Sequence, residues 1–439
     1  MLETFKRAFG LPDLRRRLLF TLAVLLIFRF AAHVPVPGLN QLQLDALLNP
    51  SSNSAGSQAA RFINFLTGGA LEQFSVMTLG VYPYITASII ISLLAPLIPS
   101  LEELQKEGES GRNKINRMTY WLTIPLAALQ GIANIGLVNS SLGGTDAQVV
   151  QFGARYPLNT ATVLITLLGG TMFALWLGER ITEKGIGNGI SIMIFGGIIT
   201  QVPQTLLSLL SSGQVFALLI VVLVTVLTVA LIVYIQEAHR RIPVQYGRRM
   251  RGAQVYGGQS TFIPLRVNSA GMIPLIFASA LMVFPQLLAQ VLTGLEQPQL
   301  KRAGDTIAEL FNQQNSPWWI MFFVFVVLFT YFYTDVVFRQ QALHETLQRN
   351  GGFIPGIRPG KQTEEYLSLV MRRITFAGAV FLGLVAVLPF IVARITGLNT
   401  NVSMLISASG LLIVVGVVLD TIKQLEAQLA MRHYEGFIR

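Results

Sequence analysis

Apolar residues run along this chain in blocks of about twenty, separated by short polar stretches, and the blocks lack the polar face of a soluble helix. A helix needs about 20 consecutive apolar residues to cross the hydrocarbon core of a bilayer. Read with that window, the chain predicts spans near 18–36, 76–98, 118–138, 158–178, 188–205, 215–236, 268–291, 318–338, 374–395 and 402–421. The expected fold is therefore all-α: a polytopic membrane protein of ten transmembrane helices. The N-terminal stretch MLETFKRAFGLPDLRRRLLF has no small-residue cleavage site after its apolar run and continues into VPVPG, so it reads as a first span rather than a removable signal.

Charge orients the spans. Counting loops alternately from a cytoplasmic N-terminus puts 26 of the 32 lysines and arginines on the cytoplasmic side, with five outside (Arg61, Arg155, Lys301, Arg302, Arg394) and Arg29 inside span 1. An error of one span would scramble this bias, so both termini are expected in the cytoplasm. Two cytoplasmic loops are large and basic, near 237–267 and 339–373. Ten spans divide at the polar turn near Ser211 into residues 1–210 and 211–439. With five spans in each, the second half enters from the opposite side, as in inverted repeats, and any functional site falls at the interface between halves.

Composition narrows the function classes. Residues are 52% hydrophobic and 12% charged, and the net charge of +10 is spread over short inter-span clusters instead of one nucleic-acid-binding face. With no cysteine and four scattered histidines, no thiol chemistry or metal site is readable and no cofactor is expected. Ion-coupled transporters carry ionisable residues at mid-membrane. Here Asp335, Asp420 and Glu179 fall near cytoplasmic ends, and Arg29 alone lies well inside a span. Neutral polar residues (Thr86, Gln130, Asn188, Asn268) are expected among the apolar lining. A transporter of a small apolar solute stays open as an alternative. An intramembrane enzyme is disfavoured, because His344-Glu345-Thr346 lies in a cytoplasmic loop and lacks the second histidine of a zinc-protease helix, and no phosphate-binding loop is present.

One stretch breaks the span pattern. Between spans 1 and 2, RFINFLTGGALEQFSVM sets Phe62, Phe65, Leu66 and Leu71 around a Gly68-Gly69 break. It reads either as a re-entrant hairpin packed for stability or as a movable stopper within the bundle, since non-spanning backbone at membrane depth must face protein or water.

The motifs TGGALEQFSVMTLGVYPYITASIIISLL, KEGESGRNKI, GERITEKGIGNGISIMIF, RRIPVQYGRR, QSTFIPLRVNSAGMIPLIFAS and GFIPGIRPGKQTEEYL, in this order, resemble the SecY family of protein-conducting channels over nearly the whole chain. That resemblance implies a passive channel for unfolded polypeptides, without enzymatic activity, which also releases hydrophobic segments sideways into lipid. It implies a ring of aliphatic side chains at Val81, Ile85, Ile194, Ile276 and Ile413, where ordinary helix packing is the competing reading. It gives residues 58–74 the role of a plug, carried by the six residues around the glycine break. It places polar gate positions at Thr86 and Gln130, on a side exit between spans 2–3 and 7–8. The basic loops would dock a ribosome or the SecA motor, with Arg358 in GIRPG as the key residue and Arg248, Arg249 and Arg251 as further contacts. Many relatives carry basic residues where this chain has Ala253 and Gln254, which puts the tip of that loop in doubt. The implied partners are SecE, clamping the two halves, a peripheral SecG, and the preprotein or its signal peptide. The implied location is the bacterial cytoplasmic membrane, with an internal membrane such as a thylakoid as the other option.

Overall fold

The computed structural model describes residues 10–38, 74–95, 98–140, 156–211, 215–246, 249–251, 254–256, 260–271, 273–293, 298–311, 316–341, 343–396 and 408–435. Ten helices follow the ten expected spans: α1 (Pro12–Ala31), α2 (Tyr82–Leu94), α4 (Glu109–Ser140), α5 (Pro157–Lys184), α6 (Gly189–Ser211), α7 (Val215–Glu237), α8 (Ile273–Thr293), α10 (Ser316–Gln341), α12 (Lys361–Thr396) and α13 (Ala408–Glu435). Three shorter helices lie between them: α3 (Pro99–Lys106), α9 (Pro298–Leu310) and α11 (Leu343–Arg349). By length and composition alone, four described segments suffice to cross a membrane: 157–184, 218–237, 317–338 and 361–388. Others are shorter or more polar, as α2 is with 13 residues, and need neighbouring helices to shield them.

Helix starts follow local chemistry. Pro12, Pro83, Pro99 and Pro157 occupy first-turn positions of α1, α2, α3 and α5, where the missing N–H would have had no helical partner. Buried hydroxyls are satisfied within their own helices: Thr123, Thr171 and Thr330 donate to the carbonyls of Thr119, Leu167 and Val326 at 2.7, 3.1 and 2.6 Å. Helices approach closely at glycines. An ideal Cβ on Gly170 would lie 1.8 Å from the carbonyl oxygen of Val76, and one on Gly189 1.8 Å from that of Gly178.

Two boundaries correct the sequence reading. Helix α1 ends at Ala31, before HVPVPG, so Arg29 sits in its last turn and not at mid-span. Asn188 caps the start of α6, its Oδ1 accepting from the Ser191 N–H at 3.1 Å, so it stands at the helix terminus and not within the span.

Two apolar cores lie within the helical bundle. One gathers Val24, Phe28, Leu175, Leu177, Ile181, Ile192 and Met193 from α1, α5 and α6; the other gathers Ile232, Leu275, Met282, Phe322, Val326 and Leu382 from α7, α8, α10 and α12. Helix α13 serves both, turning Ile413 and Val417 to the first and Leu412, Val415 and Leu419 to the second. On one side α6 packs along α13 and α7; on the other, α8 meets α2 and α4.

The basic loops hold an element that a helical reading passes over. Strand β1 (His239–Tyr246) pairs antiparallel with β4 (Ser260–Arg266) and with β5 (Gly352–Phe353), giving a sheet of order β4-β1-β5; β2 (Arg249–Arg251) and β3 (Gln254–Tyr256) form a small hairpin. The sheet therefore joins the loop before α8 to the loop before α12. Ile242, Val244 and Leu265 from the sheet pack with Leu347, Ile354, Leu367, Val370 and Met371 as a third core.

Candidate functional site

Between α2, α6, α8 and α13 lies a small void, lined by Val81 just before α2, Ile85 in α2, Ile194 in α6, Ile276 in α8 and Ile413 in α13. All five positions expected to form an aliphatic ring thus face one space, although they come from sequence positions more than 330 residues apart. The first helical turn of α2 places Val81 and Ile85 on one side, four residues apart. Ile194 and Gly197 share a face of α6 at a spacing of three, and Gly197, lacking a side chain, leaves the space open. Phe28, Met193 and Ser279 also line it, beside Leu79 and Gly80 of the turn into α2 and Tyr82 at its start. Sequence reasoning missed Phe28, Met193 and Ser279; for Ser279 the available signal was its spacing of three from Ile276.

The space has a volume of about 40 Å³, enough for a few waters, since one needs about 10–15 Å³ on this measure. It offers little to bind a small polar solute: the Ser279 hydroxyl already donates to the Leu275 carbonyl, and the remaining side chains are apolar apart from Tyr82.

The approach to this constriction is pinned by backbone hydrogen bonds. Val36 N–H donates to Phe74 O at 3.1 Å and Val76 N–H to Val34 O at 2.9 Å, tying the end of α1 to the turn before α2. Ser75 and Thr78 are fully buried there, the Thr78 hydroxyl donating to Ser75 O at 2.6 Å. The segment leading into this turn carried the stopper expectation. Its residues Phe62, Phe65, Leu66, Gly68, Gly69 and Leu71 lie outside the described residues.

The two polar positions expected at a gate meet each other. Gln130 Nε2 donates to Thr86 Oγ1 at 3.3 Å, and Thr86 Oγ1 donates to Tyr82 O at 3.1 Å. This joins α2 to α4, so the bond braces one edge of the α2/α4–α8 contact instead of bridging it. Among the described residues, Gln130 Oε1 is buried without a hydrogen-bond partner, as is Asn268 Oδ1 in the segment entering α8. Deeper in the same half, the Tyr120 hydroxyl donates to the Glu179 carboxylate, and the Tyr120 and Tyr84 rings lie 5.4 Å apart, tying α2, α4 and α5 together.

Of the four arginines expected to dock a partner, Arg358 is exposed on the turn between β5 and α12. Gly356 and Gly360 bracket that turn with φ of +83° and +104°, left-handed values that favour glycine. The Thr363 hydroxyl donates to the Arg358 carbonyl at 2.9 Å, which fixes its backbone. Arg249 and Arg251 lie on β2, paired with Tyr256 and Gln254 of β3. Arg248 and Ala253 are outside the described residues. The sheet itself adds Arg241, stacked over the Phe262 ring at 4.8 Å.

Comparison with known proteins decides the family. The SecY family model matches residues 75–422. The chain belongs to the SecY family. It is 41% identical to the protein translocase subunit SecY of Thermotoga maritima over all of this chain and 98% of that one. Its fold is similar to a solved protein-conducting channel, with a TM-score of 0.62 at 19% identity over 94% of this chain and 92% of the other. Sec61 from a canine ribosome–channel complex of the endoplasmic reticulum gives the same TM-score, identity and coverage. The ten-helix SecY fold accordingly contains both the void and the α2/α4–α8 contact described above, and the chain is a membrane protein.

Proposed function

We propose that this chain is the channel subunit of a protein translocase: it passes unfolded polypeptides through the constriction between its halves and releases hydrophobic segments between α2/α4 and α8. The observation that carries this reading is the convergence of five β-branched aliphatic side chains, from both halves, on a void of about 40 Å³. An aliphatic ring can dilate around a chain of any sequence without forming lasting hydrogen bonds, and it blocks ions by dewetting when empty. The relative named protein translocase subunit SecY, at 41% identity, supports the same assignment.

The finer parts of the reading follow the family. Residues 1–210 and 211–439 act as two halves that part at α8 while staying joined along α6 and α13. Residues 58–74 serve as the plug. The basic surface around Arg358, with Arg248, Arg249 and Arg251, docks the ribosome or the SecA motor, which supplies the energy. The relation to a channel solved with a ribosome supports the first of these partners. SecE clamps the halves, SecG sits at the periphery, and the complex lies in the bacterial cytoplasmic membrane with both termini inside.

The test places a photocrosslinker at Ile194 or Ile276 and arrests a secretory precursor midway across membranes containing the protein. Crosslinks at both positions, and none at the lipid-facing controls Leu223 and Val226, are the expected result. A precursor that reaches neither position in a folded, inserted protein would sink the channel reading and favour a small-solute transporter.

A further inference from the structure

Helix α12 links the exposed turn of Arg358 to the segment that enters α8. It starts three residues after Arg358, and the Thr363 hydroxyl, donating to the Arg358 carbonyl, holds turn and helix together. Its Leu367, Val370 and Met371 pack with Leu265 of β4 in the third core. Further along, Gly378 is buried against Val267, the residue that follows β4: a Cβ on Gly378 would lie 2.6 Å from the Val267 carbonyl oxygen. The Val267 N–H donates to Ala238 O, just past α7, at 3.0 Å. The exit from β4 is therefore held between α7 and α12, and residues 268–272 alone separate it from α8.

That link is folded back on itself. Asn268 Nδ2 donates to Gly271 O at 3.2 Å and the Ser269 hydroxyl to Arg266 O at 3.0 Å, with Gly271 at a left-handed φ of +65°. A second buried glycine of α12 makes an instructive contrast. Gly383 faces the Phe323 ring of α10, again with a Cβ 2.6 Å away, but a ring at the end of a side chain can turn aside. Gly378 meets backbone, which has no rotamer to yield, and close-packed interiors transmit such displacements. A shift of α12 therefore moves Val267 with it, whereas at Phe323 a side chain absorbs it.

From this arrangement we propose that Gly378 is a positioning residue that couples docking of a ribosome at the Arg358 turn to opening of the α2/α4–α8 edge. The ribosome engages Arg358 and shifts α12; Gly378 passes the shift to Val267, and the short link passes it to α8 and to Ile276 on the constriction. The inference rests on the docking role proposed for Arg358 and names the contact through which docking reaches the channel. Coupling of this kind is a ratio of two equilibria, so it is measured separately from binding itself.

The experiment uses the full-length chain with its accompanying subunits in nanodiscs. Ile85→Cys and Ile276→Cys are introduced, and the rate at which a short bismaleimide bridges them is measured without and with saturating, non-translating ribosomes. In the otherwise unaltered chain, ribosomes should slow bridging about fivefold, the lower end of ordinary coupling between sites. With Gly378→Ala added, ribosomes should still cosediment with the nanodiscs, but the slowing should vanish. Val267→Ala loosens the same contact without adding bulk and should diminish the slowing too, so it carries the test even where Gly378→Ala does not fold. Gly383→Ala puts an equal burden on the same helix and should keep the full effect. Undiminished slowing in Gly378→Ala or Val267→Ala with ribosomes bound would overturn the proposal, as would equal loss in Gly383→Ala. Ribosomes that bind without slowing bridging in the unaltered chain would overturn it while leaving the docking role of Arg358 intact. Ribosome binding unchanged by Arg358→Ala would remove that docking role, and the proposal with it.

Discussion

The Thr86–Gln130 bond shows what a polar pair does inside this bundle. Its length of 3.3 Å and the second bond from Thr86 to Tyr82 O mean that losing Gln130 leaves the threonine hydroxyl satisfied. A double-mutant cycle of Thr86→Val and Gln130→Leu, followed by thermal unfolding in detergent, should give a coupling energy of about 0.6 kcal/mol, the average for such pairs in membrane proteins. Gln130→Leu alone should cost little, because it also removes a buried acceptor with no partner. A coupling above about 2 kcal/mol would mean the pair is a structural staple rather than a brace that can yield. The aliphatic ring responds differently to polarity. Ile276→Asn places an amide on a wall that holds almost no polar atoms. If that lowers the dewetting barrier by about 1.4 kcal/mol, within the range for desolvating one polar group, ion leak through reconstituted vesicles rises about tenfold. Leak equal to wild type would show that the ring is not the seal. These roles were legible in the sequence only through resemblance, because isoleucine is common in spans; Gln130's bond to Thr86, by contrast, links residues 44 apart and needed the fold.

At the scale of elements, the cytoplasmic sheet is the part that the pattern of apolar blocks concealed. In Arg241-Ile242-Pro243-Val244-Gln245 the β-branched Ile242 and Val244 stand two apart, and β1 buries both on one face. The arginines drew attention to charge, and the partner strands lie in loops about a hundred residues apart, so pairing of β1 with β5 could not be read from either loop alone. The spans themselves were legible because hydrocarbon imposes both length and apolarity. Their ends were not, since α12 continues from lipid into the third core as one helix from Lys361. Sharing that core ties the two loops mechanically. Ile242→Ala should destabilise the sheet by about 2–5 kcal/mol and speed proteolysis in both loops, 247–259 and 350–360, although it changes no docking arginine. Ribosome binding measured by cosedimentation should fall with it. Arg358→Ala, on an exposed turn, should weaken ribosome binding while leaving proteolysis unchanged. If Ile242→Ala exposed only its own loop, the two loops would be independent modules.

At the scale of the whole molecule, the two contacts between halves differ in kind. Along α6 and α13, Gly187 adopts φ +81° and sits so near Ile192 and Thr421 that a Cβ would lie 2.8 and 3.2 Å from them. Nearby, Lys423 and Glu237 pair at 2.6 Å across α13 and α7, an exposed bridge worth at most about 1 kcal/mol. The opposite side has the α8 contact with α2 and α4, flanked by Gln130 Oε1 and Asn268 Oδ1, which have no partner among the described residues. A close-packed seam suits a hinge, and a contact with unmet polar atoms suits an edge that opens. Because the chain has no cysteine, pairs can be introduced without background. Ile85→Cys with Ile276→Cys spans the void from α2 to α8, and Ile192→Cys with Thr421→Cys spans the seam from α6 to α13. Bridging the first pair with a short bismaleimide should abolish translocation of a secretory precursor into vesicles, and the reduced, unbridged protein should retain it. Bridging the second pair should leave most translocation intact, because the seam is not required to part. Equal loss in both would mean that the halves separate as rigid bodies without a hinge, and loss in the second alone would place the opening edge along α6 and α13.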